Sequence, residues 1–190
     1  MKKYIKKYLT YDNIVFAIAN LNQLVFEITD ACNLKCKYCG YGEFYDDYDE
    51  REDKMLSTEK AIRLIDYLED FWKSKINTSS QSIVYISFYG GEPLLNMPFI
   101  ETIVDYVANK LNCTNRIFKF SMTTNAILLD RYMDFLQKHE FYLLISLDGN
   151  KENTGYRVDK SGRPAFERIV NNVDALQEKY HCYPSFPNEG

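Results

Sequence analysis

The chain has 190 residues, 46% hydrophobic and 26% charged, which is enough to bury a continuous core; a single soluble globular domain is the default reading. A net charge of −4 gives no overall pull toward nucleic acid or an anionic membrane, and no apolar run approaches the ~18 residues that span a bilayer, so neither is expected as a partner. Five cysteines, three of them crowded together, argue against a framework of disulfide-stapled loops and fit a reducing cytoplasm, the expected location.

In chain order, Tyr4 to Asn22 starts basic and continues through the apolar run Ile14 to Ala19, which reads as a strand. Residues 1–23 are thus expected to form an N-terminal strand or hairpin. Leu24 to Thr29, rich in β-branched and aromatic residues, reads as a buried strand that runs straight into Cys32, Cys36 and Cys39. By chance the pattern Cys-x3-Cys-x2-Cys should arise about 0.003 times in such a chain, so the spacing calls for a chemical reason. The stretch Glu43 to Asp53 that follows carries seven carboxylates and one Arg and reads as a solvated loop in preference to a docking surface.

Ser57 or Thr58 can cap a helix with Ala61, Leu64, Ile65 and Leu68 at helical spacing. Ile83 to Phe88 is the next buried strand, ending in Tyr89-Gly90-Gly91-Glu92-Pro93, and Pro98 suits the first turn of a helix with Ile100, Ile103, Val104 and Val107 on one face. A third unit pairs a strand at Ile117 to Met122, ending in Thr123-Thr124-Asn125, with a helix around Asp130 to Lys138. A fourth pairs Tyr142 to Leu147, followed by Asp148-Gly149, with a helix carrying Phe166, Ile169, Val173 and Leu176. Repeated strand–loop–helix units over residues 24–190 imply an α/β fold of parallel strands with right-handed crossovers that stops where a fifth strand is due; so few strands do not close a barrel, and the stretch is expected to be the N-terminal piece of a longer protein or to leave an open sheet edge. Every polar motif falls at a strand's C-terminal end, the edge where loops of parallel strands converge and chemistry is built.

Three close thiolates suit a soft metal centre, and Cys113, Cys182, His139 and His181 supply no second pair at zinc-site spacing. Cys113 and Cys182 read as free structural thiols, and the two histidines as surface or packing residues. The residues alone leave two readings: a cluster with one open coordination position, or a zinc-stabilised, non-catalytic binding module completed by Cys113 or Cys182. Glu92, after a Gly-Gly turn that lets backbone approach a ligand, suits an ammonium group as a charge-assisted acceptor.

Cys32-x3-Cys36-x-Tyr38-Cys39 after a strand, Gly90-Gly91-Glu92-Pro93 after the second, Thr123-Thr124-Asn125 after the third and Ser146-Leu147-Asp148-Gly149 after the fourth together resemble the motif set of radical S-adenosylmethionine (SAM) enzymes. The set is most similar to the branch with a C-terminal SPASM or twitch domain, which includes sulfatase-maturating enzymes and peptide maturases. The resemblance implies that residues 24–190 form an incomplete parallel (β/α) barrel and that Cys32, Cys36 and Cys39 hold a [4Fe-4S] cluster. It implies S-adenosylmethionine bound by Tyr38, Gly90, Gly91, Glu92, Asn125, Ser146 and Arg157, with Arg163 competing with Arg157 for the cofactor carboxylate. Tyr38 would cover the cluster or the adenine ring, and Asn125 and Ser146 would take ribose hydroxyls or a carboxylate. It further implies reductive cleavage to a 5′-deoxyadenosyl radical that modifies a peptide or protein side chain, an electron donor such as flavodoxin or ferredoxin, and auxiliary iron–sulfur clusters and catalytic groups beyond Gly190. On this reading the 190 residues are inactive by themselves.

Overall fold

The computed structural model describes residues 9–41, 51–76, 78, 83–114 and 116–181, the side chain of Cys113 excepted. Strands β1 (Gln23–Glu27), β2 (Ile83–Tyr89), β3 (Ile117–Thr124) and β4 (Tyr142–Ile145) form one parallel sheet in the order β1-β2-β3-β4. Each strand is joined to the next through a helix: α2 (Thr58–Lys73), α3 (Met97–Lys110) and α4 (Leu129–Lys138), with α5 (Phe166–Tyr180) following β4. Among the described residues the sheet is open, as the incomplete barrel requires.

Register explains which face the helices cover. Phe26 pairs with Phe88, Phe88 with Met122 and Met122 with Leu143, giving a continuous apolar row across the sheet. Ile65, Leu68 and Trp72 of α2 and Phe99, Ile100, Ile103 and Val107 of α3 bury themselves in the same cluster as that row. The alternate residues face the other way. Val25, Ser87, Ser121 and Tyr142 form the corresponding row on the opposite face, where Gln23 donates to Ser87 at 3.0 Å and the Ser87 and Ser121 hydroxyls lie 2.7 Å apart. That face lines a concavity of about 400 Å³.

One expectation fails: Ile14 to Ala19 lies in helix α1 (Tyr11–Ala19), not in a strand. Thr10 caps it, its hydroxyl accepting from Asn13 N at 3.2 Å, and Asp12 favours the first turn. Two turns of helix satisfy their own backbone, and α1 packs beside α2. The β-branched residues Ile14 and Val15 bias a short apolar run toward strand, but that preference is weak against a cap. Elsewhere the predicted elements stand, with β1 beginning one residue earlier and ending two residues earlier, β3 running two residues further and β4 two residues shorter than read from sequence. Pro98 sits in the first turn of α3 as expected. No described helix is long and apolar enough to cross a membrane. Most of the acidic stretch at 43–53, the Cys182 thiol and the position of a fifth strand lie outside the described residues.

Candidate active site

The cysteine loop is gripped from three sides. On one, β2 continues past its last residue: Ile28 N donates to Tyr89 O at 2.9 Å, Gly91 N to Thr29 O at 2.8 Å and Glu92 N to Ala31 O at 2.8 Å. Glycine is obligatory here. A Cβ on Gly90, whose φ is +145°, would lie 2.2 Å from Thr29 O, and one on Gly91 would lie 2.1 Å from Ala31 O. The close approach is therefore to the backbone of the cysteine loop. On the second side the returning segment after the loop lies antiparallel, with Leu56 N on Ile28 O at 2.9 Å and the Thr29 hydroxyl on Lys54 O at 2.9 Å. On the third, Lys35 N donates to Val158 O at 2.8 Å and Lys37 N to Tyr156 O at 3.1 Å, so the segment beyond β4 clasps the stretch between the cysteines.

These three grips set the thiols around a cavity of about 310 Å³ that also carries Tyr38, Arg51, Gly90, Gly91, Asn125, Ser146 and Arg157. Nine of the ten predicted site residues are thus brought together, and Glu92 is the exception. Its carboxylate is fully buried away from the cavity, Oε1 accepting from the Thr124 hydroxyl at 2.7 Å and Leu94 N at 3.1 Å, and Oε2 from Asn125 N at 2.8 Å. An isolated carboxylate in the interior is costly, and three donors from the loops of β2 and β3 are what make it tolerable. The side chain serves as a brace between those two loops and is not placed to accept an ammonium group. Burial nonetheless pushes its pKa up, against the lowering effect of the same three bonds.

Each sulfur meets an N–H donor. Cys32 Sγ accepts from Leu34 N at 3.4 Å and lies 3.7 Å from Asn125 Nδ2, Cys39 Sγ accepts from Arg51 Nη2 at 3.2 Å, and Arg157 Nη1 lies 3.9 Å from Cys36 Sγ. Burial pushes the Cys36 thiol up, Arg157 pulls it down, and the other two thiols push it up again. For Arg51, burial opposes the charge, but the Cys32 and Cys39 thiols outweigh it and raise the pKa. Arg51 also stacks on Tyr41, 4.8 Å from guanidinium to ring centroid, while its buried Nε has no partner among the described residues. Thiols facing N–H donors and two guanidinium groups, each with a buried Nε that makes no hydrogen bond among the described residues, fit an anionic thiolate cluster and a carboxylate-bearing cofactor beside it. Among the described residues no three His, Cys, Asp or Glu side chains are gathered closely enough for a single metal ion, and the Cys113 and Cys182 thiols that would complete a zinc site lie outside them.

Asn125 is tied in place, donating to Asn33 Oδ1 at 2.8 Å and accepting from Ile127 N at 3.0 Å. Ser146 is fixed through its backbone, N to Thr124 O at 2.9 Å. Tyr38, Asp148 and Arg157 form one unit: Asp148 Oδ2 accepts the Tyr38 hydroxyl at 2.6 Å and lies 2.9 Å from Arg157 Nε, and Oδ1 accepts from Arg157 Nη2 at 3.2 Å. Burial, followed by the bond to Asp148, raises the Tyr38 pKa well above the usual tyrosine value. Arg163 is exposed, paired with Asp159 at 2.8 Å and away from this cavity, whereas Arg157 lines it. His139 stacks on Phe135 with centroids 4.4 Å apart, as a packing residue. Sequence reasoning missed Arg51 altogether, since a lone cation among seven carboxylates looks solvated, and noticed Asp148 only as a motif letter.

The family model for the radical SAM superfamily matches residues 26–183. Over 160 residues the chain is 31% identical to the cysteine-type anaerobic sulfatase-maturating enzyme of Clostridium novyi (strain NT), covering 83% of this chain and 40% of that enzyme. It is 26% identical over 159 residues to the radical SAM cyclopropyl synthase TigE of Paramaledivibacter caminithermalis, covering 80% of this chain and 32% of TigE. The solved structure of native anSMEcpe with bound AdoMet superposes with a TM-score of 0.64 at 27% identity, covering 85% of this chain and 42% of that one. The chain spans roughly two fifths or less of these proteins. With cavity, motif order and fold in agreement, it belongs to the radical SAM superfamily.

Proposed function

We propose that this chain is the cofactor-binding part of a radical SAM enzyme that modifies a peptide or protein side chain. The observation that carries the reading is the single cavity in which Cys32, Cys36 and Cys39 meet Tyr38, Asn125, Ser146 and Arg157. Cys32, Cys36 and Cys39 would hold a [4Fe-4S] cluster, and Gly90, Gly91, Asn125, Ser146, Arg157 and the Tyr38 ring would hold S-adenosylmethionine. When bound, these groups supply one-electron cleavage of the cofactor's carbon–sulfur bond and a radical able to abstract hydrogen.

The chain's own residues prepare that chemistry. N–H groups and guanidinium groups around the sulfurs would offset the charge of a thiolate-bound cluster. Arg157 presents a planar cation suited to a carboxylate. The Tyr38 ring and the clasped loops form walls of the cavity. The sulfatase-maturating and cyclopropyl-forming relatives favour a peptide substrate, and the anSMEcpe structure with bound Kp18Cys peptide points the same way. An electron donor of the flavodoxin or ferredoxin kind, auxiliary clusters downstream and a cytoplasmic location complete the proposal.

Anaerobic reconstitution with iron and sulfide tests it. Absorbance near about 400 nm should appear and be lost when Cys32, Cys36 and Cys39 are replaced by Ala. Zinc in place of iron on elemental analysis, or absorbance indifferent to the three replacements, would sink the reading.

A further inference from the structure

Asp148 does not line the cavity, yet two residues that do are fastened to it. Its Oδ2 takes the Tyr38 hydroxyl at 2.6 Å and approaches Arg157 Nε at 2.9 Å, and its Oδ1 takes Arg157 Nη2 at 3.2 Å. Tyr38 belongs to the cysteine loop and Arg157 to the segment beyond β4, so the carboxylate is a side-chain link across the same gap that the Lys35–Val158 and Lys37–Tyr156 backbone bonds span. The Arg157 guanidinium lies 5.5 Å from the Tyr38 ring centroid with its Nη1 3.9 Å from Cys36 Sγ. Ring, cation and thiol thus occupy fixed places relative to one carboxylate.

We infer that Asp148 is a positioning residue for the cofactor pocket, fastening Tyr38 and Arg157 so that the ring and the guanidinium face the cavity together. The inference rests on the proposed function, because it concerns how that cavity receives S-adenosylmethionine. A guanidinium on a long flexible stem has many rotamers, and a carboxylate that takes a hydrogen bond from Nη2 and lies 2.9 Å from Nε as an ion pair restricts it to few. Without Asp148, Arg157 keeps only the ring face and the neighbouring thiol, and Tyr38 loses its anchor. The ordering that Asp148 provides before binding then has to be supplied during binding, which weakens affinity without removing any direct contact.

The two arms can be separated. Asp148→Asn keeps an oxygen that can accept the Tyr38 hydroxyl but removes the charge that holds Arg157, and Tyr38→Phe removes the hydroxyl arm alone. In protein reconstituted anaerobically with iron and sulfide, all variants should retain iron and the absorbance near about 400 nm, since Asp148 donates nothing to the metal. The dissociation constant for S-adenosylmethionine, measured by equilibrium dialysis, should rise about ten-fold in Asp148→Ala and by a smaller factor in Asp148→Asn. Tyr38→Phe should have little further effect in the Asp148→Ala background, although it weakens binding in the wild type, because linked groups are non-additive. The electron paramagnetic resonance change on adding S-adenosylmethionine to the reduced cluster should need correspondingly higher cofactor concentrations. Wild-type affinity in both Asp148 variants, or strictly additive effects of the Asp148 and Tyr38 replacements, would overturn the inference while leaving the proposed function intact. A wild type that takes up iron but binds no S-adenosylmethionine would overturn both. Should Asp148→Ala fail to fold, the near-isosteric Asp148→Asn decides on the same readout.

Discussion

A methyl group added to Gly91 would sit 2.1 Å from Ala31 O, well inside any contact a Cβ makes, and the atom it meets is backbone that cannot swing away. Gly91→Ala should therefore cost about 2–3 kcal/mol by overpacking and should lower cluster occupancy, because the loop it displaces carries Cys32; urea midpoints and iron content measure the two effects. Glu92 gives a different expectation. In Glu92→Gln an amide nitrogen replaces one carboxylate oxygen, and no orientation of the amide lets it accept from both the Thr124 hydroxyl and Asn125 N. Removing this buried charge should thus still destabilise, by about 1–3 kcal/mol. The pH dependence has a definite sign. A folded-state pKa raised above the unfolded value means that the folded protein binds more protons through that interval, so Glu92 makes stability fall as pH rises from the ordinary carboxylate range through the raised value. Stability–pH curves of the wild type should show this decline, and those of Glu92→Gln should be flatter there. The motif Gly90 to Pro93 was legible as a strand-end turn of special backbone, but its partners were not: nothing in four letters distinguishes glycines that approach a ligand from glycines that approach Thr29 and Ala31.

At the level of elements, strands and helices with a sustained period were legible because their apolar faces are dictated by one sheet: the Ile100, Ile103, Val104 and Val107 stripe, for example, is fully buried in α3. Helix α1 was not, since its run is too short to show a period and the informative residues, Thr10 and Asn13, precede or interrupt it. Also hidden was the dependence of the turn after β3 on α5. Ala126 adopts φ +61°, and Asn172 of α5, itself buried, donates to Ala126 O at 2.8 Å and Ile127 O at 3.2 Å. The partner lies 46 residues downstream, and sequence pattern carries no information on such pairings. Leu129 N also donates to Ala126 O at 3.3 Å and Arg168 Nε to Ile127 O at 3.1 Å, so Asn172→Ala removes a hydrogen-bonding link without orphaning either carbonyl and should cost about 1 kcal/mol, read as a lower urea midpoint. Because that turn holds Asn125, S-adenosylmethionine affinity should fall as well.

For the molecule as a whole, the cysteine loop owes its shape to protein partners on three sides, unlike a zinc finger whose fold exists only with its metal. Chelation of iron should accordingly leave the far-UV circular dichroism almost unchanged and lower the melting temperature only through lost ligand linkage. The same arrangement sets a schedule for assembly. Arg157 and Cys36 are 121 residues apart in sequence, as are, nearly, the backbone pairs on either side of them. Closing so long a loop comes late, after the local strand–helix units have formed. During synthesis Cys32, Cys36 and Cys39 are made early and stay unclasped until the segment around Tyr156 to Val158 has left the ribosome. For most of that interval they are free thiols on a half-built sheet, and the last clasp to close is the one that, on the proposed function, would complete a receptor for iron and sulfide.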